Sequence, residues 1–297
     1  MIGPDMQVIY DLGANTGDNI AYYLLKAERV VAVEANPNLA KMITARYSSE
    51  ILSGRLVVEN AVLVNDKGGQ CVPFYINTRN HRMSRFPEPI PPLEYGSDPS
   101  HYEKATLPSL DICKLVERCG PADYMKIDLE YYDMAILKAM FANGIFPSRL
   151  SVESQDIAIF LTLVSLGGYN SFKLVDGSQV GRDFANHPIM TSAGPAVFQF
   201  PHHSAGPCAD DLPGAWQNAD SFFRHLALHG IGWRDIHASR IDAPITARRQ
   251  SLLDYVVEER IPPVLRGVAR TVLSLASRLT AKKWPEFELS VHRNQAA

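Results

Sequence analysis

The most constraining feature of this chain is a short apolar run, Met6–Tyr10, that ends in Asp11 and passes directly into a glycine-bearing turn, Gly13-Ala14-Asn15-Thr16-Gly17. The run reads as a strand. Ile20, Tyr23 and Leu24 then fall at helical spacing, which predicts a helix from Asp18 to about Lys26. A strand, a tight glycine turn and a helix in that order bring main-chain N–H groups and a helix N-terminus close to a ligand. A glycine turn used only for helix–strand packing is the competing interpretation, since glycine meets such backbone needs anyway.

The same cadence continues. Arg29–Val33 is β-branched and almost wholly apolar, as a strand covered on both faces would be, and it ends at Glu34. Pro37 suits the first turn of a helix running to about Arg46, and Leu56–Val64 supplies a third strand-like run. Further on come a strand at Asp123–Ile127, a helix at Asp133–Asn143, a strand at Arg149–Glu153 and a helix to about Leu166. Ser171–Val175 and Ala196–Phe200 read as closing strands. Alternation of this kind predicts an α/β fold with a doubly wound, mostly parallel sheet. Residues 65–106 interrupt it with Pro, Gly, Asn and Ser, and with a hairpin pairing Gln70–Ile76 to Tyr102–Leu107. Ser109–Arg118 reads as a helix opened by a serine cap.

Two groups of residues carry chemistry. In the first, Glu34 stands at the second strand's end about 20 residues after the glycine turn, where a carboxylate can hold ribose hydroxyls. A dinucleotide fits this spacing, but Gly-x-x-x-Gly replaces Gly-x-Gly-x-x-Gly, and Asp11 would oppose a pyrophosphate. S-adenosylmethionine fits better: it offers ribose hydroxyls to Glu34 and an ammonium to Asp11, and it has no phosphate. Asn15 belongs to the same turn. Asn60, after the third strand, is either an adenine-edge partner or a strand-end turn residue. The second group is Tyr124-Met125-Lys126-Ile127-Asp128-Leu129-Glu130, which delivers two carboxylates to a strand end, and Glu153 ends the next strand similarly. A cationic sulfonium with a hydroxyl acceptor accounts for so many acids, as does capping or pairing with Lys126.

VIYDLGANTGDN, VVAVEANP, ENAV at 59–62, TLPSLD at 106–111, DYMKIDLE at 123–130 and LSVES at 150–154 resemble, in order, the motifs of the FkbM-type S-adenosylmethionine-dependent methyltransferases. The resemblance spans about residues 8–200. It implies a class I methyltransferase (Rossmann-like) fold, with a seven-stranded, mostly parallel sheet whose last strand is antiparallel and with helices on both faces. It also implies O-methylation of a hydroxyl on a sugar, glycan or secondary metabolite. Carried over by position, Asp11, Gly13 and Gly17 line the cofactor, Glu34 holds its ribose, and Asp128 and Glu130 sit at the reacting end. As bases for the acceptor hydroxyl, Glu130 or Asp128 are favoured by position and His81 by chemistry, with His101 a further histidine of the inserted region. Two departures stand out. Tyr131 occupies the position after the glutamate where the family usually has glycine, so a ring could narrow the acceptor pocket or stack on a sugar. The first strand also begins within ten residues of Met1, so a lid is expected from residues 77–101, from the C-terminal region or from a second subunit.

Composition limits the alternatives. With 46% hydrophobic and 21% charged residues, the chain of 297 residues is an ordinary globular protein. Its net charge of −3 gives no global field favouring nucleic acid. Four cysteines without a Cys-x-x-Cys pair, no signal-like N-terminus and no membrane-length apolar run lead us to expect a cytoplasmic protein. No metal site is expected, because His202-His203 and Asp210-Asp211 lack ligand spacing; the strand-end carboxylates leave divalent-cation dependence open. The expected organisation is a cofactor-binding domain over 1–200, with 65–106 as its acceptor or lid insertion, and a mainly helical C-terminal extension over 201–297. Within that extension, 261–283 is amphipathic, and from Arg260 to Pro285 there are six basic residues and no acid. Its apolar face suits core or homodimer packing, and its basic face suits peripheral contact with an anionic membrane. The functional alternative to an enzyme is a non-catalytic cofactor-binding or scaffold protein on the same fold.

Overall fold

The structure, a computed structural model, describes residues 6–66, 69–89 and 98–244, together with Leu265, Val268, Thr271 and Val272. It opens with β1 (Met6–Leu12), α1 (Ile20–Lys26), β2 (Ala27–Val33), α2 (Pro37–Arg46), α3 (Ser48–Leu52) and β3 (Leu56–Glu59). Then come β4 (Val62–Val64), β5 (Cys71–Asn77), β6 (Tyr102–Asp111), α4 (Ile112–Cys119), β7 (Tyr124–Ile127), α5 (Asp133–Ala142) and β8 (Arg149–Ser154). The remainder is α6 (Ile157–Ser165), β9 (Ser171–Asp176), α7 (Val180–Asp183), β10 (His187–Thr191), β11 (Gly194–Phe198), α8 (Ala219–His229) and β12 (Gly232–Ser239).

Seven strands form the central sheet in the order β3-β2-β1-β7-β8-β12-β9. Six run parallel, and β12, the last in the chain, lies antiparallel between β8 and β9. This is the mostly parallel seven-stranded α/β sheet expected of a class I methyltransferase fold. Alternation along the strands divides the core between the two faces. Val8, Tyr10, Leu12, Met125 and Ile127 pack against α4, α5, α6 and α8. Ile9, Val30, Ala32 and Tyr124 pack against α1, α2 and the 200–212 segment. Covering both faces makes these strands apolar almost throughout, which is why β1, β2 and β7 are legible as strands.

Four expectations need correction. Ala196–Phe200 does not close the sheet: Gly194–Phe198 pairs with His187–Thr191 in a separate hairpin, and the antiparallel strand is Gly232–Ser239. The domain boundary expected at residue 200 therefore does not fall there, because α8 and β12 belong to the central sheet and its cover; the extension called mainly helical supplies a core strand. Leu56–Val64 is two strands, not one. After Glu59 the chain leaves the main sheet, and β4 joins β6 and β5 in a small sheet of order β4-β6-β5. Ser109 is not a helix cap but a β6 residue whose hydroxyl donates to the Gln70 carbonyl at 2.6 Å; α4 is capped by Asp111, which accepts from the Cys113 N–H at 2.7 Å. The hairpin of β5 with β6 forms as expected. The amphipathic segment 261–283 lies outside the described residues apart from four isolated positions. No helix among the described residues is long and apolar enough to cross a membrane.

Candidate active site

The carboxyl ends of β1, β2, β7 and β8 and the start of β12 surround a cavity of about 720 Å³. Open α/β sheets bind ligands at such ends. On the β1–β2 side the floor is the glycine turn. Gly13 sits at φ +80°, and a Cβ there would lie 1.9 Å from the Asp128 carbonyl oxygen, so only glycine lets the turn pass this close to β7. Asn15 (φ 49°) and Gly17 (φ +76°) complete the turn in the same left-handed region. The Gly13 and Ala14 N–H groups donate to the Val33 carbonyl, locking the turn to the end of β2.

Glu34 is held where ribose hydroxyls would meet it. Its carboxylate accepts from the main-chain N–H groups of Asn15 and Asn36, each at 2.7 Å. Burial pushes its carboxyl up to about 7, against the opposing pull of those two hydrogen bonds. Asn36 also caps α2, accepting from the Asn38 N–H at 3.0 Å. Asp11 is fully buried beneath the turn, and neither of its carboxylate oxygens has a hydrogen-bond partner. Burial raises its carboxyl, and Lys126, whose Nζ lies 3.4 Å from Oδ1, opposes the rise. The Lys126 ammonium also donates to the Gly13 carbonyl at 3.0 Å and pairs with Asp128 at 3.2 Å. Lys126 thus ties the two sequence motifs together.

Of the residues singled out from sequence, Gly13, Asn15, Glu34, His81, Asp128 and Glu130 line this cavity. Asp11 and Gly17 lie behind the lining; Gly17 packs close to Ile20 and Ile43. Asn60 is corrected: it does not line the cavity, and its amide donates to the Glu34 and Ala35 carbonyls at 2.8 and 3.0 Å. It braces the loop after Glu34, which is the turn role. His101 is likewise absent from the lining. The histidine–aspartate pairs at 202–203 and 210–211 separate, because Asp211 pairs with Lys26 and Asp210 with Arg149. Among the described residues no group of His, Cys, Asp or Glu is arranged to hold a metal ion.

The other side of the cavity holds carboxylates and rings. Glu130 (φ 48°) and Tyr131 (φ 75°) both adopt the left-handed region at the end of β7. That conformation explains why the family pattern has glycine where Tyr131 stands. Arg85, from the β5–β6 insertion, stacks 4.5 Å from the Tyr131 ring centroid. Burial and the neighbouring Asp128 and Glu153 raise the Glu130 carboxyl well above the usual range. Burial likewise raises Glu153 to about 8 and Asp235, on β12, to about 7. The imidazole of His81, in a short 3-10 turn over 81–83, is lowered by burial and by Arg82, and its Nδ1 is buried without a partner. Trp233, His203 and Asp235 also line the cavity and were missed from sequence. Trp233 and Asp235 lie in Gly232–Ser239, inside the stretch expected to form a mainly helical extension, and His203 was weighed only as a metal ligand.

The family model for the FkbM methyltransferase domain matches residues 11–162, just over half of the chain. The chain belongs to that family. No curated protein matches it. Among solved structures it is similar to a methyltransferase FkbM from Methylobacillus flagellatus KT, at 15% identity and a TM-score of 0.37. That alignment covers 59% of this chain and 41% of the Methylobacillus chain, so this chain spans less than half of that protein's length. It is also similar to a precorrin 8w decarboxylase from Methanobacterium thermoautotrophicum, at 11% identity, 80% and 83% coverage and a TM-score of 0.36. For a spermidine synthase from Thermotoga maritima the identity is 8%, the coverage 93% and 69%, and the TM-score 0.33.

Proposed function

We propose that this protein is an S-adenosylmethionine-dependent O-methyltransferase that acts on a hydroxyl of a sugar, glycan or secondary metabolite. The observation that carries this reading is the pairing of Glu34 with Asp11 across the glycine turn. Glu34 is oriented by two main-chain N–H groups, and Asp11 is buried behind the turn with Lys126 at 3.4 Å, adding negative charge under the cradle. A cationic nucleoside with ribose hydroxyls suits the Glu34 carboxylate and that charge, and the cradle that Gly13 opens gives it room. Bound there, it would supply an electrophilic methyl group on a sulfonium.

The residues of the chain would do the rest. The acceptor hydroxyl must be aligned with the methyl carbon, and good alignment contributes roughly 7–11 kcal/mol. Its proton must go to a base, worth about 10²–10⁴-fold. Glu130 is the favoured acceptor of that proton by its place in the cavity lining; its raised carboxyl is a strong base once ionised, so its action needs the ionised form. Asp128 is held by Lys126 and suits a positioning role. A lowered pKa keeps the His81 ring neutral, and so able to accept a proton, at neutral pH. Closing the cavity falls to the 80–86 turn and the 203–205 segment, both of which line it.

Calorimetric titration with S-adenosylmethionine, followed by transfer of a labelled methyl group to hydroxylated sugars, tests this. The expected outcome is one site per chain and turnover that falls about 10²–10⁴-fold when Glu130 becomes Gln. No heat of binding would end the cofactor reading, whereas binding without turnover on any acceptor would favour the scaffold alternative.

A further inference from the structure

The glycine turn, Glu34 and Asp11 account for only one side of the cavity. The other side is built by β7, β8 and β12, and its chemistry is different. Trp233 lines it and is 48% exposed, so its indole is open to a ligand in the cavity. The ring is nonetheless held firmly. The imidazoles of His202 and His203 lie nearly parallel to it, with centroids 6.2 and 5.9 Å away, and the two imidazoles stack on each other at 4.5 Å. Beneath it Gly177 has no side chain, and a Cβ there would come within 2.4 Å of the indole nitrogen. A register shift between Gly232 and Asp235 marks a bulge where β12 enters the sheet, a device that redirects side chains near sites.

Two residues along β12, Asp235 stands directly opposite Glu153 of β8, and both line the cavity. Like charges facing each other across a strand pair repel. Neither carboxylate has an ion-pair partner among the described residues, and Glu153 is held only by the Gln155 amide at 2.8 Å. The nearby cations are committed elsewhere: Lys126 to Asp11 and Asp128, and Arg85 to the Tyr131 ring. Arg82 lines the cavity beside His81 and His203. A sulfonium nucleoside bearing an amino acid brings one net positive charge, and Asp128 in the lining and Asp11 behind it already supply negative charge on that side. The Glu153–Asp235 pair is left with no ion-pair partner of its own among the described residues; Lys126, shared with Asp11 and Asp128, acts on Asp235 only from beyond ion-pair distance.

We propose that Trp233 is the platform on which the acceptor ring stacks, and that the Glu153–Asp235 pair binds a protonated amine carried by that ring. The acceptor is then a hydroxylated ring compound with a basic amine, an amino sugar being the simplest case, and anionic rings are refused. This rests on the methyltransferase reading of the same cavity and narrows its acceptor class.

The experiment keeps the two readings apart. Binding of S-adenosylhomocysteine to the full chain is measured first; if it fails, the cofactor reading and this one fall together. With that ligand saturating, the methyl glycosides of glucosamine, N-acetylglucosamine and glucuronate are titrated by saturation-transfer NMR. Methyl glucosaminide is expected to bind at least tenfold more tightly than the N-acetyl compound, with the glucuronide not bound. The Glu153→Gln, Asp235→Asn double variant should bring the ratio of the first two close to one. Trp233→Ala should weaken both about equally, by tenfold or more, with S-adenosylhomocysteine affinity held within twofold. The proposal is overturned if the cofactor product binds but the three sugars bind alike or none binds. It is also overturned if the double variant retains the amine preference, or if Trp233→Ala leaves sugar affinity intact.

Discussion

The two sides of the cavity differ in how they are made. The side under β1 and β2 is main chain and contiguous sequence: a turn from Gly13 to Gly17, and a carboxylate fixed by the N–H groups of Asn15 and Asn36. The side under β7, β8 and β12 is made of side chains drawn from four separated segments, Glu130–Tyr131, Glu153, His203 and Trp233–Asp235. A main-chain cradle accepts one ligand shape and tolerates few substitutions. A wall of side chains can be altered residue by residue without disturbing the sheet. On the proposed function, the cofactor belongs to the first side and acceptor choice to the second.

Breaking the first side should have the largest effect. Gly13→Ala forces a Cβ into the Asp128 carbonyl at a φ that L-residues avoid, so S-adenosylmethionine affinity should fall at least 100-fold by calorimetry. Circular dichroism would show whether the sheet survives. Glu34→Gln keeps the shape but loses a charged acceptor, worth about 1.5–3 kcal/mol, so a loss of roughly 10- to 100-fold is expected in the same titration.

The carboxylate wall makes a prediction about pH. Glu153 is raised to about 8, and Glu34, Asp133 and Asp235 to about 7, each by burial. The unfolded chain releases these protons near pH 4, so between pH 6.5 and 8 the folded state binds more protons than the unfolded one. Stability must therefore fall as pH rises through that window. His225 and His237, lowered by burial to about 4 and about 3, are neutral in the folded state. An unfolded imidazole is about half protonated at pH 6.5, so these two offset part of the fall at the lower end of the window and none of it near pH 8. The melting temperature of the ligand-free protein should drop by several degrees from pH 6.5 to 8, and Glu153→Gln should flatten the slope.

Smaller effects sharpen the same contrast. Asn60→Ala removes two hydrogen bonds to the loop after Glu34 but nothing that lines the cavity, so cofactor affinity should fall only about fivefold, roughly the value of one net hydrogen bond. Tyr131→Gly relieves a left-handed φ worth about 1–2 kcal/mol. It also loses the contact with Arg85, worth about 0.5–1 kcal/mol, and adds glycine's entropy of similar size. The melting temperature and cofactor affinity should barely move, and any change should appear in acceptor KM.

How far the sequence could be read follows the same division. Asp11, Gly13, Asn15 and Glu34 were legible because each lies at the end of a strand whose apolar run marks it. Asn60 had the right place but not the right role, since an amide's partners depend on where a neighbouring loop folds. Tyr131 was visible as a departure from a family pattern, but its left-handed backbone and its partner Arg85 were not. Asp235 and Trp233 were hidden because β12 reads like any short alternating strand after a turn-rich stretch.

Sequence alone determined the alternation of strands and helices, the glycine turn and the carboxylate at the end of β2, because these depend on residues close together in the chain. The family resemblance implied an antiparallel last strand, but only the tertiary structure decided that it is Gly232–Ser239, that it enters between β8 and β9, and that it carries Trp233 and Asp235 to the cavity. That choice rests on pairing with β8 and β9 and on burying Phe222, Leu226 and Ile236 against the distant core, contacts that no local pattern encodes.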